Sequence, residues 1–248
     1  MTKTVWVIGA SSGLGRQLSE QLAERKYKVV ISSRNERDLD VLCNHLTLTT
    51  GAETFSFPID LSNLTNELKA RQMVNEFISK FGYPEASYFV SGVIHDEDFT
   101  LKAASYLPIL MQVNFLAPAL LISEVAGSNP GVRSEIIVAS TVAASRPRGK
   151  NIAYGTAKRA LEQYCSGLMH GLAGGFTAIR VYRLGYMDTN LSYGQKLLFK
   201  PASTAKIAKA LLSGSHKKEG IYYLPRFWQL ITFILNCIPF AIYKKMKF

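Results

Sequence analysis

The stretch TVWVIGASSGLGR, residues 4–16, runs from a β-branched apolar segment straight into a glycine-rich turn. Gly9, Gly13 and Gly15 follow the order G-x-x-x-G-x-G, with Ser11, Ser12 and Leu14 between them. The residues after the turn have helical spacing. Glycines are needed in such a turn because the backbone must bend tightly and approach a pyrophosphate with no Cβ in the way. The phosphate then meets the free N–H groups and positive dipole end of the following helix. An ordinary glycine turn has the same letters. Its place after the first strand and before a helix favours the phosphate-binding reading.

The rest of the chain repeats this alternation. Short β-branched runs fall at 4–8, 28–32, 54–57, 86–90, 135–140, 177–183 and 221–224, and amphipathic stretches at 14–25, 36–48, 64–81, 107–126, 152–172 and 204–213. Strands spaced by helices predict right-handed crossovers. The expected fold is α/β: a Rossmann-type, doubly wound parallel sheet of about seven strands, with helices on both faces. No linker or repeat interrupts it, so residues 1–224 read as one domain and 225–248 as an apolar and basic tail. Ligands of such sheets bind beyond the carboxyl ends of the strands. Sites that take NAD usually place an acid at the end of the second strand, on the ribose 2′-OH. Here that strand ends KVVISSRN, with Ser33 in the acid's place and Arg34 after it. Arg34 suits a 2′-phosphate, so NADP(H) is favoured and NAD(H) remains possible; a surface role opening the next helix is the plain alternative.

Composition narrows the class. The 248 residues are 48% hydrophobic and 19% charged, values of a globular chain and not of a disordered one. The opening residues show no apolar leader region, so no secretory signal is expected. Cys43, Cys165 and Cys237 lie far apart and the four histidines form no metal-binding spacing, which argues for a reducing compartment and no metal site. The net charge of +11 is concentrated near the end: from residue 195 onward there are ten Lys or Arg against Glu219 alone. A local basic excess beside an apolar tail points to an anionic surface or to phosphate. Aromatic residues do not interleave with the basic ones as in single-strand binders, so no nucleic-acid partner is expected.

The segment IIVASTVAASRPRGKNIAYGTAKRALEQY, residues 136–164, carries candidate chemistry. Tyr154 and Lys158 are four apart and share a helix face. A phenol ordinarily titrates near pH ~10, and a neighbouring ammonium favours its ionised form. Tyr154 would then protonate a carbonyl oxygen as hydride reaches carbon. Thr141, at a strand end upstream, would polarise the same carbonyl, with Ser140 as the alternative hydroxyl.

Together these motifs resemble the short-chain dehydrogenase/reductase family over essentially the whole chain. GASSGLG is similar to its dinucleotide loop and Tyr154-x-x-x-Lys158 to its catalytic pair. The resemblance implies adenine binding by Asp60 with the adjoining Leu61, and a proton-relay water held by Asn114. It also implies nicotinamide contact by Thr189, a glycine turn at Gly92, and assembly as a homodimer or homotetramer. Three departures mark a divergent branch. Thr141 replaces the family's serine, Val90-Ser91-Gly92 replaces Asn-Ala-Gly, and Leu184-Gly185 replaces Pro-Gly.

The ending GIYYLPRFWQLITFILNCIPFAIYKKMKF resembles one branch of the family, the polyprenyl-phosphate keto-sugar reductases typified by decaprenylphosphoryl-2-keto-ribose reductases. Residues 227–243 are short for a membrane span and are broken by Gln229, Asn236 and Pro239. On a helix, Gln229, Thr232 and Asn236 form a narrow polar stripe, with Trp228, Ile231, Ile234, Leu235 and Ile238 on the apolar remainder. Pro239 should end or kink that helix. Lys244, Lys245 and Lys247 follow, the pattern of an in-plane membrane anchor; packing on the domain or across a dimer is the alternative. Lys196, Lys200 and Arg226 are candidates to meet a lipid phosphate. The expected protein is an NAD(P)H-dependent carbonyl reductase, cytoplasmic and peripheral on the inner membrane face, acting on a lipid-linked keto-sugar in polysaccharide synthesis. A lipid or sterol ketone is the second enzymatic reading, and a non-catalytic dinucleotide-binding scaffold the rival of another class.

Overall fold

Seven strands form one sheet in the order β3-β2-β1-β4-β5-β6-β7, with every neighbouring pair parallel. The computed structural model describes residues 3–188, 199–214 and 218–246. The strands are β1 (Thr4–Ile8), β2 (Lys28–Ser32), β3 (Thr54–Ser56), β4 (Ala86–Phe89), β5 (Ser134–Thr141), β6 (Thr177–Leu184) and β7 (Gly220–Leu224). Between them run α1 (Gly13–Glu24), α2 (Glu36–Thr50), α3 (Glu67–Phe81), α4 (Ala103–Met111), α5 (Ala117–Gly127), α6 (Ile152–Gly171) and α7 (Thr204–Leu212). The chain order reverses between β1 and β4, which opens a crevice at their carboxyl ends.

β1 shows why the sheet holds. All five residues are buried, as expected where helices cover both faces. Val5 and Val7 join the layer under α1, α2 and α7, while Trp6 and Ile8 join the layer under α3, α5 and α6. Trp6 stacks on Phe77 at 4.0 Å and donates its indole N–H to Ser32 Oγ at 2.8 Å. Truncating it to Ala should cost about 3–5 kcal/mol.

Helix ends differ from expectation where local caps set them. α3 begins at Glu67, not at 64, because the Asn66 side chain accepts from Lys69 N at 3.0 Å. α2 continues to Thr50, where Gly51 closes it at φ +66°. The single helix expected at 107–126 is longer and interrupted by a wide π-helical turn, Gln112–Leu116, with Asn114 buried in it. The stretch Thr100–Gly127 has the length and hydropathy of a membrane span, but half of its most apolar window is buried in the domain.

The tail forms α8 (Trp228–Cys237) and α9 (Phe240–Tyr243), separated by extended Ile238 with Pro239 capping the second. Here the expected stripe is corrected. Thr232 faces the domain beside Trp228, its hydroxyl donating to Trp228 O at 2.8 Å within its own helix. Trp228 is seated over Gly185, where a Cβ would overlap the indole. Tyr186 and Phe199 meet the indole edge-on at 5.4 and 5.2 Å. Ile234, expected with Trp228, lies on the opposite side with Leu230 and Phe233, which are 64% and 65% exposed.

Candidate active site

The glycine turn leads the crevice. Gly9 has φ +97°, and a Cβ there would lie 2.6 Å from Ser91 Cα. A Cβ on Gly15 would overlap the Gly9 carbonyl, so α1 can approach β1 this closely only with glycine. Ser12 caps α1 in extended backbone without using its side chain, and the first turn carries no acid. Its N–H groups and dipole are therefore available to an anion.

A cavity of about 550 Å³ extends from this turn across the strand ends. Gly9, Ser11, Ser12, Gly13, Leu14, Gly15, Arg34, Asp60, Leu61, Gly92, Tyr154 and Lys158 all line it. Asp60 accepts from Ser62 N at 2.9 Å and Ser62 Oγ at 2.7 Å, and these bonds, the hydroxyl's first, hold its carboxyl below the usual range. Ser33 Oγ is buried without a hydrogen-bond partner among the described residues, beside Arg34. An orphaned hydroxyl next to an arginine fits an incoming phosphate or ribose group. Thr189 lies outside the described residues.

Lys158 is 3% exposed. Its ammonium donates to Ser91 O at 2.9 Å and Ala139 O at 3.1 Å, tying α6 to the ends of β4 and β5. Burial pulls its pKa down to about 8. Asn114 Oδ1 accepts from Val93 N at 3.0 Å, and its amide donates to Val93 O at 2.9 Å and Leu110 O at 3.0 Å. The side chain thus clamps the loop after β4, with the wide turn in the helix placing it there.

Tyr154 lines this cavity, and Thr141 lines a second one beside it. Desolvation pushes the phenol up to about 12, opposed by the nearby Thr141 hydroxyl and by the charge of Arg148. Lys158 is engaged by carbonyls, so the cation acting on Tyr154 here is Arg148, which sequence reasoning overlooked. Ser140 is turned away: its hydroxyl donates to Glu162 at 2.6 Å, in a buried cluster where Arg183 holds the same carboxylate at 2.7 and 2.9 Å. Of the two candidate hydroxyls, only that of Thr141 faces Tyr154.

A second cavity, about 320 Å³ and largely apolar, starts at Thr141. Trp228, Ile231, Leu235 and Tyr243 of the tail form its wall. Lys200 and Arg226 are exposed and do not line it, and Lys196 lies outside the described residues. Sequence reasoning also missed Asp98, 1% exposed in the loop after β4. Its carboxylate accepts from Ala153 N at 2.8 Å and Tyr154 N at 2.9 Å, capping α6 from outside the helix. Among the described residues no cluster suited to a metal ion occurs.

Known proteins share the fold and much of the sequence pattern. A Xenopus tropicalis hydroxysteroid 11-beta-dehydrogenase 1-like protein is 27% identical over 245 residues, covering 95% of this chain and 83% of that protein. A short-chain dehydrogenase from Sphingobium yanoikuyae in complex with NADPH superposes with a TM-score of 0.79 at 19% identity, covering 99% of this chain and 96% of that one. One from Burkholderia phymatum in complex with NAD gives 0.81 at 17% identity, covering 95% and 93%. The family model for short chain dehydrogenase matches residues 3–196, and the chain belongs to the short-chain dehydrogenase family.

Proposed function

We propose that the protein is an NADP(H)-preferring carbonyl reductase acting at a membrane surface on a lipid-linked ketone, with a polyprenyl-phosphate keto-sugar as the favoured substrate class. One observation carries it: a cavity fit for a dinucleotide, lined by Tyr154 and Lys158, adjoins an apolar cavity that starts at Thr141, the hydroxyl that acts on the Tyr154 phenol. Arg34 beside the orphaned Ser33 hydroxyl supports the phosphorylated cofactor, and NAD(H) is the lesser alternative. Related structures in complex with NADPH or NAD support the same pocket use.

Residues 9–15, Asp60, Leu61 and Gly92 would hold the dinucleotide, with Lys158 near its nicotinamide end and Thr189 as the carboxamide contact. When bound, the reduced nicotinamide supplies the hydride received by the carbonyl carbon. The chain's own groups handle the oxygen. Thr141 polarises the carbonyl, and Tyr154, held protonated at neutral pH by its surroundings, gives up the proton that completes the alcohol. Asn114 keeps the loop after β4 in register with Lys158.

The tail supports the membrane reading. Its inner face walls the apolar cavity, while Leu230, Phe233, Ile234, Phe240 and Ile242 remain exposed with Lys244 and Lys245 alongside. An apolar face that wide beside cations suits the boundary of an anionic bilayer. It would place the mouth of the cavity at the lipid surface, on the cytoplasmic side. A neutral lipid or sterol ketone is the second reading, favoured by the apolar cavity and the hydroxysteroid-dehydrogenase-like relative.

Truncating the tail would strip the cavity wall, so the test uses Phe233→Glu with Phe240→Glu, which leaves Trp228 and Thr232 in place. The variant should lose binding to vesicles containing phosphatidylglycerol and lose reduction of a ketone presented in them, while retaining NADPH-dependent reduction of a soluble ketone. Unchanged vesicle binding, or wild-type protein that reduces no ketone, would refute the proposal.

A further inference from the structure

The loop after β5 carries two arginines with opposite fates. Arg146 is fully engaged by the tail. Its guanidinium donates to Leu235 O and to Ile238 O, the latter at 2.6 Å, and lies 3.9 Å from the centre of the Tyr243 ring. It closes the carboxyl end of α8 and holds the tail against the domain. Arg148, two residues on, lines the apolar cavity together with Thr141. Its Nε is buried with no hydrogen-bond partner, and no carboxylate pairs with it among the described residues.

Arg148 is half-buried, and a buried N–H of its guanidinium left unpaired is costly. The cost is removed if the ligand brings the acceptor, and the planar fork of arginine suits a phosphate ester. The location constrains where that group sits. Arg148 shares a cavity with Thr141 at the reacting end and with Leu235 and Tyr243 of the tail. We infer that Arg148 reads an anionic substrate group, a phosphate ester carried a few bonds from the reacting carbonyl, with the apolar remainder of the molecule lying along the tail. The inference rests on the reductase reading of this site and narrows it. A neutral ketone would leave Arg148 as it stands, whereas a ketone beside a phosphate on a lipid would satisfy both the arginine and the apolar wall.

The test compares a long-chain α-phosphooxy ketone with the matching α-hydroxy ketone, following NADPH consumption in wild type, Arg148→Gln and Arg148→Lys. Wild type should favour the phosphooxy ketone in kcat/KM by about tenfold or more, the worth of a charge-assisted hydrogen bond. Arg148→Gln should abolish the ratio, with the loss chiefly in KM, and Arg148→Lys should restore part of it. Dodecyl phosphate, which has no carbonyl, should compete with the hydroxy ketone in wild type and not in Arg148→Gln. The ratio is the diagnostic quantity because Arg148 also bears on Tyr154. A wild-type enzyme that reduces both ketones equally, or an Arg148→Gln variant that keeps the preference, would overturn the inference and leave the reductase reading standing. Reduction of neither ketone by a wild-type protein that binds NADPH would remove both.

Discussion

Replacing Asp98 should damage the protein far more than an acid in a loop ordinarily would. α6 starts after Asn151, which sits at φ 57° and offers no side-chain cap. The second and third of its N–H groups, those of Ala153 and Tyr154, are satisfied instead by the two carboxylate oxygens of Asp98 at 2.8 and 2.9 Å. Asp98→Ala leaves both without an acceptor, that of Ala153 in a buried place and that of Tyr154 in a partly buried one. Each orphaned donor costs about 1–3 kcal/mol, and loss of a cap alone typically costs about 1 kcal/mol. A net loss of about 3–4 kcal/mol is expected, less what water entry recovers. Asp98→Asn keeps one acceptor and turns an amide N–H toward the other donor, so about 1–2 kcal/mol is expected. Urea unfolding of the three proteins measures this as a fall in midpoint at constant slope. Turnover should drop as well, because one of the freed N–H groups belongs to Tyr154. A loss below about 0.5 kcal/mol for Asp98→Ala, the range of an ordinary surface change, would refute the capping argument, as would Asn proving as harmful as Ala.

Two further outcomes follow from the same geometry. Arg34→Ala should lower the preference for NADPH over NADH in kcat/KM by roughly tenfold or more, measured with one ketone and both cofactors; an unchanged ratio would place 2′-phosphate recognition elsewhere. Lys158, with its pKa lowered from 10.5 to about 8 in the fold, loses its proton earlier folded than unfolded. Wild-type stability relative to Lys158→Met should therefore rise from about pH 8 to about pH 10.5, by about 3 kcal/mol in all, in cofactor-free protein. A flat difference across that window would show that burial does not set this lysine's charge. The absolute offset also contains the two carbonyls orphaned in the variant, so only the slope is diagnostic.

The fold was legible because its signals are local. TVWVI before GASSGLG announces a buried strand, a tight turn and a phosphate-accepting helix, and the later alternation of strands and helices follows the same grammar. The π-helical turn around Asn114 was not legible, since nothing in MQVNFLAP breaks the helical spacing. In the site, Tyr154 and Lys158 line one cavity, as their i, i+4 spacing implies, and Thr141 lies in the cavity beside it, while the lysine's ammonium is taken up by two carbonyls. Asp98 and Arg148 carry no such mark. Each acts across the fold, the one on a helix more than fifty residues away in sequence, the other in a cavity whose wall is the tail. The tail divides between its two readings. Its polar stripe suggested one apolar face, yet Gly185 admits Trp228, so one side packs on the domain and the other remains bare.

The most direct measurement follows the hydride itself. Wild type and Tyr154→Phe are incubated with NADPH deuterated at the transferring position and a ketone, and the product is analysed for label on the carbinol carbon. The account predicts label in the wild-type product and, in Tyr154→Phe, NADPH binding of wild-type strength with no labelled alcohol. Labelled alcohol formed at the wild-type rate by Tyr154→Phe would contradict it.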